Sequence, residues 1–214
     1  MAECCSARGY DTVFTEKVAS RDARRYRRRG LDENGRRLVG FAVRHGVDGA
    51  TVLDVGGGVG TLGLELLKAG AARAVTVELS PAYDGPALEL AREAGFGDRV
   101  ERRVVDFAQA DGLPEADVVV MHRVVCCYPD GEGLVEAAGS RAQRVLAFSY
   151  PRRTWWTVGG ERIMNAFLRL RRTDFRGFVH RPERLLGAAE DQGLRLEQLH
   201  EGPLWHIAGF ARPS

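Results

Sequence analysis

Lysine is almost absent from this sequence: Lys17 and Lys68 are the only two among 31 basic residues. The skew toward arginine looks like a coding bias more than a mechanism. Long apolar runs are absent too. None approaches the roughly 20 residues of a membrane span, which excludes a transmembrane chain. The opening MAECCSARGYD lacks the apolar core of a secretory signal, so the expected location is cytoplasmic. Net charge is only +2 and argues neither for nor against nucleic acid. Cysteine is scarce and oddly placed, in two adjacent pairs, Cys4-Cys5 and Cys126-Cys127. Neither pair has the C-x2-C spacing of a zinc site, and neighbouring cysteines rarely bridge each other. Reduced thiols are the plain reading; soft-metal or arsenic chemistry between the pairs is the sharper one. No metal is expected. Repeats and low-complexity linkers are absent, which removes solenoids and tethered modules.

What remains is an ordinary globular composition. Apolar residues make up 44% and charged residues 28% of 214 positions, so one domain with a real core is expected. Residues 11–29 read as an arginine-rich helix and 32–46 as an amphipathic one, with Leu31, Leu38, Val39, Ala42 and Val43 on one side. Strands are expected at 51–55, 74–79, 100–105, 116–121 and 144–150, alternating with helices at 61–69, 83–94 and 132–140. Two further helices, 155–171 and 182–192, precede a closing pair of strands, 194–200 and 204–210, hinged at Gly202-Pro203. ADVVVM (116–121) is continuously apolar, as a strand covered on both faces must be. Alternating β and α implies a parallel sheet with helices on both faces.

In such sheets ligands sit beyond the carboxyl ends of the strands. The first strand ends in DVGGGVG, where Asp54, Gly56, Gly58 and Gly60 form D-x-G-x-G-x-G. Glycine allows positive φ and lets a ligand approach the backbone, and the helix that follows offers free N–H groups. The second strand ends in Glu78 (VELSP), 22 residues beyond Gly56. An acid there can accept hydrogen bonds from both hydroxyls of a ribose, a device that NAD sites share. The third ends in Asp106-Phe107 (VVDFA). The acid suits the exocyclic amine of adenine and the ring its face, while a helix N-cap is the alternative for Asp106.

The stretch from Val52 to Tyr150 resembles the class I S-adenosylmethionine-dependent methyltransferases. DVGGGVG matches the first motif of that family, VELSP the second, VVDFA the third and ADVVVMHRVVCCYPD the fourth. The resemblance implies a Rossmann-like seven-stranded α/β sheet in the order 3-2-1-4-5-7-6, with strand 7 antiparallel. It implies a single domain in which 1–48 form an N-terminal helical lid over a 49–214 core. It also implies cofactor contacts from Asp54, Gly56, Gly58, Gly60, Glu78, Leu79, Asp106 and Phe107, with Tyr26 contributed by the lid. RVLAFSYPRRTWW and HRPERLLGAAEDQGL are similar to the small-molecule O-methyltransferases around the magnesium-protoporphyrin and ubiquinone-biosynthesis groups. The segment between Trp155 and His180 is arginine-rich.

Methyl transfer from a sulfonium needs donor and acceptor held in line, and a hydroxyl acceptor also needs a base. The fourth strand ends in His122, not in the N-P-P-Y motif used on adenine or glutamine amino groups. His122 is thus the first candidate for a base or cofactor contact. Tyr128 and Tyr150 are candidate acceptor walls, with Arg152 or Arg153 available for an acidic substrate. Tyr10, Phe14 and Tyr26 supply aromatic faces suited to a sulfonium. The arginines at 24, 25, 27, 28 and 29 cannot all face one ligand on a helix, which makes nucleic acid an unlikely partner. The expected function is methyl transfer to a small-molecule acceptor, at oxygen more than nitrogen, by a monomer or homodimer. The alternative is a cyclase or lyase in which S-adenosylmethionine is itself consumed, releasing methylthioadenosine.

Overall fold

The alternation of strand and helix builds one seven-stranded sheet in a computed structural model that describes residues 7–213. Cys4 and Cys5 lie outside the described residues. The strands are β1 (Thr51–Val55), β2 (Arg73–Glu78), β3 (Val100–Val104), β4 (Ala116–Met121), β5 (Ala142–Pro151), β6 (Arg195–Glu201) and β7 (Trp205–Ala211). Their order is β3-β2-β1-β4-β5-β7-β6. All neighbours are parallel except β7, which runs antiparallel to β5 and β6. The helices are α1 (Ala7–Val13), α2 (Glu16–Arg29), α3 (Glu33–Arg44), α4 (Thr61–Lys68), α5 (Asp84–Glu93), α6 (Gly131–Arg141), α7 (Trp155–Leu170) and α8 (Pro182–Glu190).

Successive strand residues point to opposite faces, so the apolar runs of the central strands feed two cores. Val52, Val118, Val120 and Val145 pack with α2, α3, α4 and α5 on one face. Leu53, Val119, Met121 and Leu146 pack with α6 and α8 on the other. This double burial is why ADVVVM carries no polar alternation beyond Asp117.

The helix expected over 11–29 is broken in two. Thr15 stands between α1 and α2, and its side chain accepts from Val18 N at 3.4 Å. That cap starts α2 afresh and frees the Phe14 ring from the helical path. Phe14 turns inward against Tyr10, Tyr83 and Phe175.

The N-terminal helices are fastened to the far side of the sheet by α3. A Cβ built on Gly209 of β7 would lie 2.8 Å from the ring of Phe41. Both residues are buried, and no side chain at 209 fits without moving the ring. Gly209→Ala is therefore expected to cost about 1–3 kcal/mol of stability by overpacking. Urea unfolding of the variant measures it, and an unchanged midpoint would show that α3 yields at no cost.

Candidate active site

The turn between β1 and α4 is a backbone cradle. Gly56 takes φ +59 and Gly58 φ +55, which disfavour any side chain. A Cβ on Gly56 would also sit 2.6 Å from Val124. Gly56 N donates to Val77 O at 2.7 Å, tying the turn to β2. Gly60, at the N-cap of α4, has no side chain to cap the helix.

Two carboxylates hold this turn. Asp54 is fully buried beneath it, and its Oδ2 accepts from Gly63 N at 3.1 Å. Burial pushes its carboxyl up to about 7, against the pull of that backbone hydrogen bond and of Arg102. Glu78 holds the turn from the cavity side. Its Oε2 accepts from Gly58 N at 2.9 Å, and its Oε1 from Leu79 N at 2.8 Å and Ser80 N at 3.3 Å. Three donors fix the carboxylate while leaving lone pairs for a ligand.

The turn opens into a cavity of about 330 Å³. Gly56, Gly58, Glu78, Leu79, Asp106, Phe107, His122, Tyr128 and Tyr26 all line it, as do Tyr10, Phe14 and Tyr83. Asp106 and Tyr128 act together: the Tyr128 hydroxyl donates to Asp106 Oδ1 at 3.0 Å, with Oδ2 at 3.2 Å. Asp106 Oδ1 also accepts from Ala108 N at 3.1 Å, so the N-cap-like alternative and the cavity position coexist. Phe107 is buried, with the Arg141 guanidinium 5.2 Å from its ring centre. The Tyr26 hydroxyl turns to α4, where it donates to Glu65 and accepts from Lys68 Nζ at 3.0 Å. Burial pushes that hydroxyl up to about 12, so it is the ring that Tyr26 offers the cavity.

At the end of β4, His122 sits between two partners. Its Nδ1 is 2.9 Å from Ser149 Oγ and its Nε2 is 3.2 Å from Asp32 Oδ1. With the proton assigned to Nε2, the Ser149 hydroxyl donates to Nδ1 and the ring donates to Asp32, so each contact is matched. Ser149 Oγ also accepts from Arg123 N at 2.9 Å, and Arg123 Nη2 reaches Asp32 Oδ2 at 2.6 Å. The hydrogen bond from His122, with that from Gly35 N and the charge of Arg123, holds Asp32 far below the usual carboxylate range. Arg123 pays for its position with φ +61, outside the region most side chains adopt.

Sequence reasoning passed over Asp32, Ser149 and Tyr83. Asp32 carries the signal of an N-cap, since it stands just before α3 and accepts from Gly35 N at 2.8 Å. Nothing in the sequence links it to a histidine 90 positions away.

Several expected positions fall outside the cavity lining. Tyr150 is buried in the core, with Phe148 and His206 rings 5.8 and 5.5 Å from its own. Strand alternation explains this correction: Ser149 faces His122, so Tyr150 must face away. Asp54 and Gly60 lie behind the turn rather than on its open side. Arg152 and Arg153 are also outside the lining, and Arg153 donates to Val179 O at 2.8 Å. Cys126 and Cys127 are unbridged, with Sγ atoms 3.5 Å apart, and Cys127 borders the cavity. Among the described residues, no three cysteine, histidine or acidic side chains converge as a metal would need.

A β3-β2-β1-β4-β5-β7-β6 sheet with a glycine turn after β1 and an acid ending β2 defines a Rossmann-like protein of the methyltransferase type. The comparisons agree. A family model described as a methyltransferase domain matches residues 23–199, and the chain belongs to that family. No curated protein matches it in sequence. The fold is similar to magnesium protoporphyrin IX methyltransferase from Synechocystis PCC 6803, solved with bound S-adenosylhomocysteine. That match has 20% identity and a TM-score of 0.71, and covers 95% of this chain and 99% of that one. Human N-acetylserotonin methyltransferase, solved with S-adenosylmethionine, is 17% identical with a TM-score of 0.64, covering 96% of this chain and 59% of that one. Geranyl diphosphate C-methyltransferase from Streptomyces coelicolor A3(2) is 15% identical with a TM-score of 0.63, covering 82% and 76%.

Asp54 yields a pH signature. The unfolded chain releases its proton near 3.8, whereas the folded protein keeps it up to about 7. The folded state then binds more protons across that window, so stability falls as pH rises through it, by at most about 1.4 kcal/mol per pH unit. Asp54→Asn retains an acceptor for Gly63 N and removes the titration. Its melting temperature should gain on the wild type progressively between about pH 4 and pH 7. A difference that stays flat with pH would show that Asp54 is ionised in its buried position.

Proposed function

We propose that this protein transfers a methyl group from S-adenosylmethionine to a small-molecule acceptor, with oxygen as the receiving atom. One observation carries the reading: Glu78 is fixed by three backbone N–H groups at the lip of a cavity floored by the glycine turn. That arrangement suits a ribose beside a small polar chain. The residues present fit the cofactor. Glu78 is placed to accept from ribose hydroxyls and the glycine turn to admit the methionine part. Asp106 and Phe107 are placed at the adenine, with the Asp106 carboxylate set by Tyr128. Tyr10, Phe14 and Tyr83 offer aromatic faces to a cation. S-adenosylmethionine supplies a methyl group on positively charged sulfur.

Oxygen is favoured by what stands at the end of β4. His122 is there, with Asp32 and Ser149 around it, in place of an amide-and-proline motif for amino groups. A hydroxyl must lose its proton as it is methylated. The Ser149 hydroxyl at Nδ1 and Asp32 at Nε2 fix the His122 ring at the cavity wall. Asp32, kept ionised by its neighbours, places a fixed negative charge at this corner of the cavity. Tyr128, held by Asp106, forms a fixed wall of the cavity rather than a mobile one.

Two measurements test this. Glu78→Ala should weaken S-adenosylhomocysteine binding by about 1.5–3 kcal/mol, the worth of hydrogen bonds to a charged group, read by titration calorimetry. Unchanged affinity in a variant that still melts cooperatively would remove Glu78 from the site. Mass spectrometry of the protein with S-adenosylmethionine and a panel of hydroxylated acceptors should show S-adenosylhomocysteine appearing with a methylated product. Methylthioadenosine accumulating without any acceptor would replace methyl transfer with consumption of the cofactor itself.

A further inference from the structure

α7 is turned inside out. Its 16 residues include none that is buried. Trp155, Ile163 and Leu170 are 88%, 74% and 81% exposed, and Trp156 and Phe167 are exposed beside them. At 100° per residue these five occupy one third of the helix circumference, a continuous apolar stripe facing away from the protein. Leu204 extends it: this residue is exposed, and its carbonyl accepts from Arg152 N at 2.9 Å, next to the start of α7.

The helix does not owe its existence to that stripe. Thr154 and Thr157 cap its start reciprocally, at 2.8 and 3.2 Å. On its other side, Asn165 clamps Gly177 with two hydrogen bonds, at 2.8 Å to the carbonyl and 2.9 Å from the amide. A folded helix thus presents tryptophan, isoleucine, phenylalanine and leucine to solvent.

Charge indicates what covers it. Residues 152–176 hold seven arginines and only two carboxylates, Glu161 and Asp174. The whole chain is only +2, so this segment is one of its two concentrations of positive charge, the other being the arginine run of α2. Arg162 and Arg169 flank the stripe on one side and Arg171 on the other, its guanidinium 4.5 Å from the Phe167 ring centre. Among the described residues, no ion pair engages any arginine of this segment. A second copy docked on the same face would press arginine against arginine, which opposes self-association through α7. An apolar face with tryptophan, edged by arginine, matches a helix that lies in a lipid headgroup layer.

We propose that α7 docks this protein on an anionic membrane surface, with the apolar stripe in the headgroup–acyl boundary and the arginines on lipid phosphates. Lacking a spanning segment is no obstacle, because such a helix lies on the bilayer rather than crossing it.

The test is co-sedimentation of the full chain with vesicles of phosphatidylcholine alone and of phosphatidylcholine mixed with phosphatidylglycerol. Binding to the mixed vesicles, none to the neutral ones, and a blue shift of tryptophan emission are expected. Replacing Arg162 or Arg169 with Gln should weaken partition by about fivefold each. Trp155→Ser with Phe167→Ser should weaken it by more than about tenfold, two large apolar side chains being lost from the interface. S-adenosylhomocysteine affinity should stay unchanged in all of these variants, which separates loss of docking from loss of folding. No partition onto anionic vesicles overturns the proposal. So does undiminished partition by the double variant. Light scattering that shows a dimer which the double variant abolishes, without vesicle binding, assigns the face to a second copy instead. Retention on RNA or on an acidic protein, without vesicle binding, assigns it to a soluble polyanion.

Discussion

The glycine turn after β1 is held from opposite sides by two carboxyl groups. Asp54 takes the N–H of Gly63 from within the core, and Glu78 takes the N–H of Gly58 from the cavity. The backbone between them has no side chains to pack and adopts a conformation that costs entropy to fix. One acid is desolvated in the core and the other faces the cavity, so the same turn is tied to both.

The second organising contact joins distant parts of the chain. Asp32 begins α3 as its N-cap, yet it also receives His122 and Arg123 from the end of β4. The group that terminates a helix dipole thereby becomes the partner of the one histidine lining the cavity. Ser149, from β5, completes the setting of that ring. Three elements meet there, which is why no local stretch of sequence describes the arrangement.

The sheet was legible because both of its faces are covered: ADVVVM and TVLDV permit few other readings. The order of the strands followed from the resemblance carried by DVGGGVG, VELSP and VVDFA rather than from periodicity. Side-chain direction was harder. Tyr150 and Ser149 are neighbours, and a one-residue difference on a strand exchanges one buried face for the side that meets His122. The break at Thr15 was hidden because threonine caps one helix as readily as it continues another. Asp32 carries a cap signal that the sequence reading left unused, and nothing in the sequence marks it as a partner of His122. The outward stripe of α7 reads like any amphipathic helix, since periodicity shows that a face exists but not which way it turns.

The packing of Phe41 on Gly209 has a consequence for the order of assembly. These residues sit on α3 and β7, and Arg44 and His45 reach Gln198 and Glu197 of β6 at the same junction. The partners are separated by most of the chain, so these contacts are among the least local in the fold and form only when both ends of it have come together. The corner that holds His122 is joined to the same helix, because Asp32 is its N-cap, and so unites residues from both halves of the described chain.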